Sequence, residues 1–208
     1  MEAADRIGWP VPVAYNATVC DDPAFVWYRV AKVGTETIHR HLDNHTELRL
    51  NHPYRVRLPR RGYGSYFHFA FVRNPWERLV SCWHDKVLKT DHFRLGARRE
   101  RMRRFPEFVE YVGQFDLDRC DSHIHRQASL IDLARVDFIG RFERFADDFS
   151  EVCRRLGLPE SFGHENPTQR NHYSAYYDDR TAEIVGRLYE RDARLFGYGF
   201  TRVGAPKR

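Results

Sequence analysis

The stretch FVWYRVAKVGTETIHRHL, residues 25–42, decides the fold of this chain. Its first six residues, Phe25 to Val30, are a short aromatic and β-branched run, which predicts a buried strand. A glycine-containing turn follows, and residues 37–42 continue as a helix start. Strand, turn and helix in this order indicate the beginning of an α/β unit.

The turn inside this stretch has the composition of an anion-binding loop. A strand-to-helix turn exposes unpaired backbone N–H groups at the positive end of the helix dipole, which attracts phosphate or sulfate. Gly34 lets the backbone approach the anion, and Lys32 supplies a full positive charge. The hydroxyls of Thr35 and Thr37 can donate hydrogen bonds to the same anion. The lysine precedes the glycine, unlike in a Walker A loop, which disfavours a nucleoside triphosphatase.

The sharpest helix start in the chain follows a second predicted strand, residues 66–72 (YFHFAFV). Asn74 is a good N-cap, Pro75 suits the first helical position, and Glu77 completes a capping-box arrangement. Further elements are predicted at residues 136–140, at 145–156 up to Gly157, and from about 179. Because strands alternate with helices, we expect a parallel α/β sheet in a single domain, residues 1–208.

The turn after this second strand also carries groups that bind anions. Arg73 at the strand end and Ser81, two helical turns into the helix, would place a guanidinium and a hydroxyl beside a phosphate. Each turn alone is compatible with an ordinary surface turn that carries a charged residue. Two such turns in one small α/β chain predict a ligand with two separated anionic groups.

The composition is that of a globular protein with one core. The chain has 208 residues, 42% of them hydrophobic, and a net charge of +5, which favours an anionic partner without identifying it. Its four cysteines are widely spaced and form no C-x-x-C pair, so reduced thiols are expected rather than a zinc ribbon. The N-terminus has acidic residues and no long apolar stretch, which predicts neither a signal nor an anchor and favours the cytoplasm.

A basic segment at residues 93–105 contains six arginines and a single glutamate. Such a run is usually the solvated face of a helix. The alternative is a rim that attracts an acceptor already carrying carboxylates or sulfates.

Several segments in their order resemble the sulfotransferases, especially the carbohydrate enzymes of the Golgi. Residues 28–37 (YRVAKVGTET) look like the 5'-phosphosulfate loop of that family, and residues 71–81 (FVRNPWERLVS) look like its 3'-phosphate motif. Asp121-Ser122-His123 with Gln127, then residues 137–143, 188–192 and 196–198, resemble later segments of the same enzymes. The resemblance covers most of residues 25–200.

The resemblance implies a P-loop-like three-layer α/β/α sandwich with a central, mainly parallel sheet. It implies 3'-phosphoadenosine 5'-phosphosulfate as sulfuryl donor, a carbohydrate hydroxyl as acceptor, and no metal. We expect no nucleic acid as partner and, from the N-terminal sequence, no membrane span. The residues that would line the 5' end of the donor are Lys32, Val33, Gly34, Thr35, Glu36 and Thr37. Arg73 and Ser81 would hold its 3'-phosphate, and Arg170 would add a contact from the C-terminal side.

The implied reaction needs charge neutralisation and a base. Lys32 can stabilise the negative charge that grows on the leaving oxygen as the sulfuryl group departs. The acceptor hydroxyl needs a general base, for which histidine has a suitable pKa. His52, between the two turns, is the first candidate because some carbohydrate sulfotransferases place their base in this interval, and His123 is the second.

Two other classes of protein remain open. A small-molecule kinase would need a Ser or Thr directly after the loop lysine, where this chain has Val33. A non-catalytic polyanion-binding or nucleic-acid-binding module would rest on basic charge alone. We also expect the chain to depart from the Golgi enzymes by being short and without their membrane anchor and stem, which leaves the acceptor class open.

Overall fold

The computed structural model describes residues 14–51, 56–58, 62–162 and 171–202. The candidate base His52 and the candidate donor contact Arg170 lie outside these residues. So do residues 1–13, on which the expected cytoplasmic location rests. In the described part of the chain, no helix is long and apolar enough to cross a membrane.

A mixed β-sheet organises the chain. The strands are β1 (Ala14–Tyr15), β2 (Ala17–Asp21), β3 (Ala24–Tyr28), β4 (Leu48–Asn51), β5 (Val56–Arg57), β6 (Phe67–Val72) and β7 (Phe138–Arg141). Five of them form one sheet in the order β4-β2-β3-β6-β7, and β1 pairs with β5 separately. Strands β3, β6 and β7 are parallel, as predicted, whereas β2 runs antiparallel to both β3 and β4.

The antiparallel half of the sheet has a local cause. The two-residue connection Asp22-Pro23 joins β2 to β3, and such a short loop can only join antiparallel neighbours. The sequence ATVCD of β2 has no run of large apolar residues that would have predicted it. The α/β sandwich is therefore confirmed, with a sheet that is parallel on the side of the two anion-binding turns.

The helices are α1 (Thr35–His45), α2 (Pro75–Trp83), α3 (Arg99–Met102), α4 (Phe105–Val112), α5 (Phe145–Leu156), α6 (Asp179–Leu188) and α7 (Glu190–Phe196). A π-helical turn, His84–Lys89, continues α2. Helix α5 ends at Gly157 in the left-handed conformation, which confirms the predicted stop. Side chains from α1 and α5 pack on the sheet, whereas α2, α4 and α6 form a second cluster with residues of nearby loops, and none of its described members lies in a strand.

The start of α2 differs in one detail from the sequence prediction. Asn74 is the N-cap, and its side chain accepts hydrogen bonds from the backbone N–H groups of Trp76 and Glu77. The predicted capping box is wrong, because the Glu77 carboxylate accepts from Arg73 at 2.6 Å instead. The backbone N–H of Asn74 donates to Glu143, which comes from the segment after β7.

The cysteines and the basic segment have ordinary structural roles. All four cysteines are free thiols, as expected, and three of them are buried. In the basic segment, Arg99 donates to three backbone carbonyls, and Arg101, Arg103 and Arg104 pair with nearby glutamates. These local contacts favour the solvated helix face over the acceptor rim.

Candidate functional site

A cleft of about 1300 Å³ opens where β3 and β6 end. These strands are parallel neighbours, so their carboxyl ends meet at one edge of the sheet, and both anion-binding turns lie there. The predicted site residues that line the cleft are Lys32, Gly34, Thr35, Glu36, Thr37, Arg73, Ser81 and His123. The side chain of Val33 instead points into the core, so only its backbone remains for a ligand.

The first turn, residues 29–34, is shaped by two left-handed residues. Lys32 and Gly34 have φ values of 71° and 82°. At Gly34 a β-carbon would lie 2.5 Å from the ring of Phe145, so glycine is required by space as well as by conformation. The Thr35 hydroxyl donates to the Val30 carbonyl at 2.7 Å, which closes the turn and directs its hydrogen away from the cleft.

Helix α1 begins at this turn with an open N-terminus. Gly34 is the N-cap, and within the described residues no side chain caps the first N–H groups. These groups and the helix dipole form a site for an anion. Glu36 in the first turn is exposed and lines the same cleft.

Lys32 has a partner that the sequence analysis did not identify. Its ammonium group lies 2.7 Å from the carboxylate of Asp85, in the π-helical turn, and Lys86 reaches the same oxygen at 3.2 Å. Partial burial tends to raise the pKa of Asp85, but the hydrogen bonds and charges of the two lysines outweigh it and hold the pKa at about 2. Asp85 is therefore ionised at neutral pH and holds Lys32 at the edge of the cleft.

Arg73 connects the two turns directly. Its guanidinium donates to the Lys32 carbonyl at 3.1 Å and to Glu77 at 2.6 Å. The same guanidinium lies over the ring of Phe142, 3.9 Å from the ring centroid, and Arg73 is only 4% exposed. Ser81 lines the cleft on the next turns of α2. The structure thus brings Lys32, Arg73 and Ser81 to one cleft.

Arg78 is a structural residue of the site that sequence reasoning missed, although it lies inside the second motif. It is 2% exposed, and its guanidinium donates to the carbonyls of Ala31, Ser122 and His125 at 2.9, 3.1 and 2.9 Å. Arg78 therefore fixes the segment that contains His123 relative to the turn that contains Lys32.

His123 is held by a carboxylate. Its Nδ1 lies 2.8 Å from Asp121 Oδ1, and because an ionised carboxylate only accepts, Nδ1 carries the proton. Burial lowers the pKa of His123 below its usual value, although the Asp121 carboxylate opposes this effect. A neutral ring with Nδ1 protonated has a free electron pair on Nε2, which is the form that a general base requires.

Comparisons with known proteins agree with this geometry. The family model described as "Sulfotransferase family" matches residues 15–199. Carbohydrate sulfotransferase 10 of Xenopus laevis is 27% identical over 64% of this chain and 48% of its own length. Carbohydrate sulfotransferase 8 of Homo sapiens is 35% identical over 47% of this chain and 28% of its own length. Carbohydrate sulfotransferase 14 of Mus musculus is 28% identical over 74% of this chain and 51% of its own length.

The aligned part of each of these relatives is about half of its length or less. The search of solved structures gave no match. The matches do not favour the kinase or the polyanion-binding module.

Proposed function

Because the chain belongs to the sulfotransferase family, we propose that it transfers the sulfuryl group of 3'-phosphoadenosine 5'-phosphosulfate to a hydroxyl of a carbohydrate. One observation carries the proposal: both strand-to-helix turns line one cleft, where the Arg73 guanidinium contacts the Lys32 carbonyl at 3.1 Å. A nucleotide with anionic groups at both ends can therefore contact both turns at once. The names of the relatives support a carbohydrate as acceptor.

The size of the cleft supports such a donor. Its volume of about 1300 Å³ exceeds that of most small-molecule pockets, which leaves space for an acceptor beside the nucleotide. The open N-terminus of α1 would hold the 5' end through backbone groups of residues 33–37, with Lys32 as the cation. Arg73 and Ser81 would hold the 3'-phosphate, and Arg170 stays a prediction.

Lys32 would act on the leaving group. Sulfuryl transfer depends on alignment of the reacting atoms and on neutralisation of the charge on the departing oxygen, as phosphoryl transfer does. The Lys32 ammonium group would leave Asp85 for the bridging oxygen of the donor, a move that its partly exposed position permits. Asp85 would then stay paired with Lys86, which already lies 3.2 Å from it.

His123 would be the general base among the described residues. Its neutral ring, its orientation by Asp121 and its position in the cleft support this role. Replacing His123 with Ala should lower kcat by roughly 10²- to 10⁴-fold, because the general base that accepts the proton of the acceptor hydroxyl is removed. An unchanged kcat in a steady-state assay would exclude His123 and leave His52 as the candidate.

Ligand-induced stabilisation tests the donor site. Adenosine 3',5'-bisphosphate at roughly a hundredfold excess over its Kd should stabilise the fold by about 2.7 kcal/mol, since it binds only the native state. Adenosine monophosphate at the same concentration should stabilise it much less, because it lacks the 3'-phosphate. Equal shifts in the unfolding midpoint would contradict a site for the 3'-phosphorylated nucleotide.

A further inference from the structure

Two histidines share one carboxylate beside the cleft. Asp121 Oδ1 lies 2.8 Å from His123 Nδ1, and Asp121 Oδ2 lies 2.8 Å from His92 Nε2. The three potential ligand atoms all lie within 4.8 Å of one another. The chain reaches this arrangement from two segments, since His92 follows the π-helical turn and Asp121 precedes the turn that carries His123.

Two imidazole nitrogens and one carboxylate oxygen are a ligand set for a divalent transition ion. Zinc sites of this composition keep a fourth position for water, and the hard ions Ca²⁺ and Mg²⁺ prefer oxygen ligands instead. Because both imidazoles already contact an ionised carboxylate, the ligands and the negative charge are assembled before an ion arrives. The side chains are 20–36% exposed, so an ion can reach them from solvent.

The spacing requires only a small adjustment. Zinc bonds of about 2.0–2.1 Å give ligand-to-ligand edges of about 3.4 Å in a tetrahedron. The two nitrogen-to-oxygen contacts of 2.8 Å would lengthen, and the imidazole nitrogens already lie within 4.8 Å of each other. The Asp121 carboxylate is also held by the backbone N–H of His123 at 2.9 Å, which fixes one ligand while the rings move.

We propose that His92, Asp121 and His123 form an inhibitory site for Zn²⁺ or a similar ion. The inhibitory effect rests on the proposed function, whereas the binding does not. When the ion takes Nδ1 of His123, the single proton of the neutral ring must move to Nε2, the atom that faces the reaction as base. A ring protonated at Nε2 cannot accept the proton of an acceptor hydroxyl, so the filled site stops transfer.

The test is a titration of the chelator-treated protein with ZnCl2 by calorimetry and with CoCl2 by visible absorption. A single ion should bind, and His92→Ala should weaken binding by at least about 10- to 100-fold, the loss that even an outer-shell partner produces. Asp121→Asn provides a second variant with little change in shape. The unfolding midpoint of each variant shows that it is folded.

His45→Ala is the matched control. Its ring lies 4.6 Å from that of His41, so it also belongs to a histidine pair, but this pair is not part of the three-residue group. Ion affinity should be unchanged in His45→Ala. Equal affinity in the wild type and in His92→Ala would overturn the proposed site.

Transfer assays with and without ZnCl2 complete the test. For each variant, the transfer rate with zinc is compared with the rate of the same variant without zinc. Zinc should inhibit the wild type and His45→Ala but not His92→Ala. Loss of ion binding in His92→Ala, together with zinc-insensitive transfer by the wild type, would overturn the inhibition and remove His123 as base. If the protein shows no transferase activity, the proposed function fails, while calorimetry still decides whether the site exists.

Discussion

The two strand-to-helix turns share one sequence pattern but offer different groups to an anion. After β3, the turn contains two left-handed residues, and α1 starts without a side-chain cap among the described residues. After β6, the Asn74 side chain caps α2, and the backbone N–H of Asn74 donates to the Glu143 carboxylate. The first turn therefore offers an anion its backbone, whereas the second can offer only side chains, chiefly Arg73 and Ser81.

This difference shows that a strand, a turn and a helix do not suffice to define an anion site. A helix N-terminus attracts anions only where its N–H groups are left open. At the second turn those groups are already satisfied, so a phosphate there would depend on the guanidinium of Arg73. We expect the first turn to govern turnover and the second to govern nucleotide selectivity.

Among changes at the two turns, the largest expected effect comes from the cation of the first turn. Lys32→Ala should lower kcat by about 10²- to 10³-fold, because the charge acts mainly on the leaving oxygen in the transition state. The Kd for adenosine 3',5'-bisphosphate should change much less. Steady-state kinetics and calorimetry on the same preparation measure both quantities.

The control for Lys32→Ala separates charge from backbone strain. Lys32 has φ 71°, a conformation that asparagine tolerates better than alanine. Lys32→Asn should therefore lower kcat as much as Lys32→Ala does, but it should destabilise the fold less. If nucleotide affinity fell in both variants while kcat stayed unchanged, Lys32 would be a binding residue only.

The next effect concerns the shape of the first turn. Gly34→Ala should destabilise the fold by about 2–4 kcal/mol, through its left-handed φ and the overlap with Phe145. Gly157→Ala is a matched control, because Gly157 has φ 66° but no neighbouring atom within 4 Å of the point that a β-carbon would occupy. It should cost only about 1–2 kcal/mol in urea unfolding. Equal costs would mean that Phe145 yields to the added methyl group.

The smallest expected effect belongs to the second turn. Arg73→Ala should reduce the preference for adenosine 3',5'-bisphosphate over adenosine monophosphate by about ten-fold or more, the value of a charged hydrogen bond. Arg73→Lys keeps the charge but loses the planar fork and should recover only part of the preference. Arg155→Ala, outside the cleft, should leave it unchanged. An intact preference in Arg73→Ala would place the 3'-phosphate elsewhere.

The sequence predicted the parts of the site that depend on local pattern. The aromatic runs before both turns predicted β3 and β6, and Asn74-Pro75 predicted the start of α2. Because residues that follow parallel strands meet at one sheet edge, Lys32 and Arg73 could be expected at one cleft, and both line it.

The parts that the sequence did not predict depend on contacts between distant segments. Asp85 reaches Lys32 only because α2 continues as a π-helical turn, which has no clear sequence pattern. Gln127, seen only as part of a resemblance, is buried and exchanges hydrogen bonds with the backbone N–H and carbonyl of Arg73. Strand β2 was missed because its pairing follows from a hairpin and not from its composition.

Arg78 gives the cleft a fixed width. Its three hydrogen bonds join the carbonyl of Ala31, inside the first turn, to carbonyls on both sides of His123, so one rigid planar group sets the span between the two segments. Arg78 is only 2% exposed and is not among the described residues that line the cleft, so it can set this span without lining the cleft itself. In the proposed reaction, Arg78 would thus position His123 relative to Lys32 without touching either substrate.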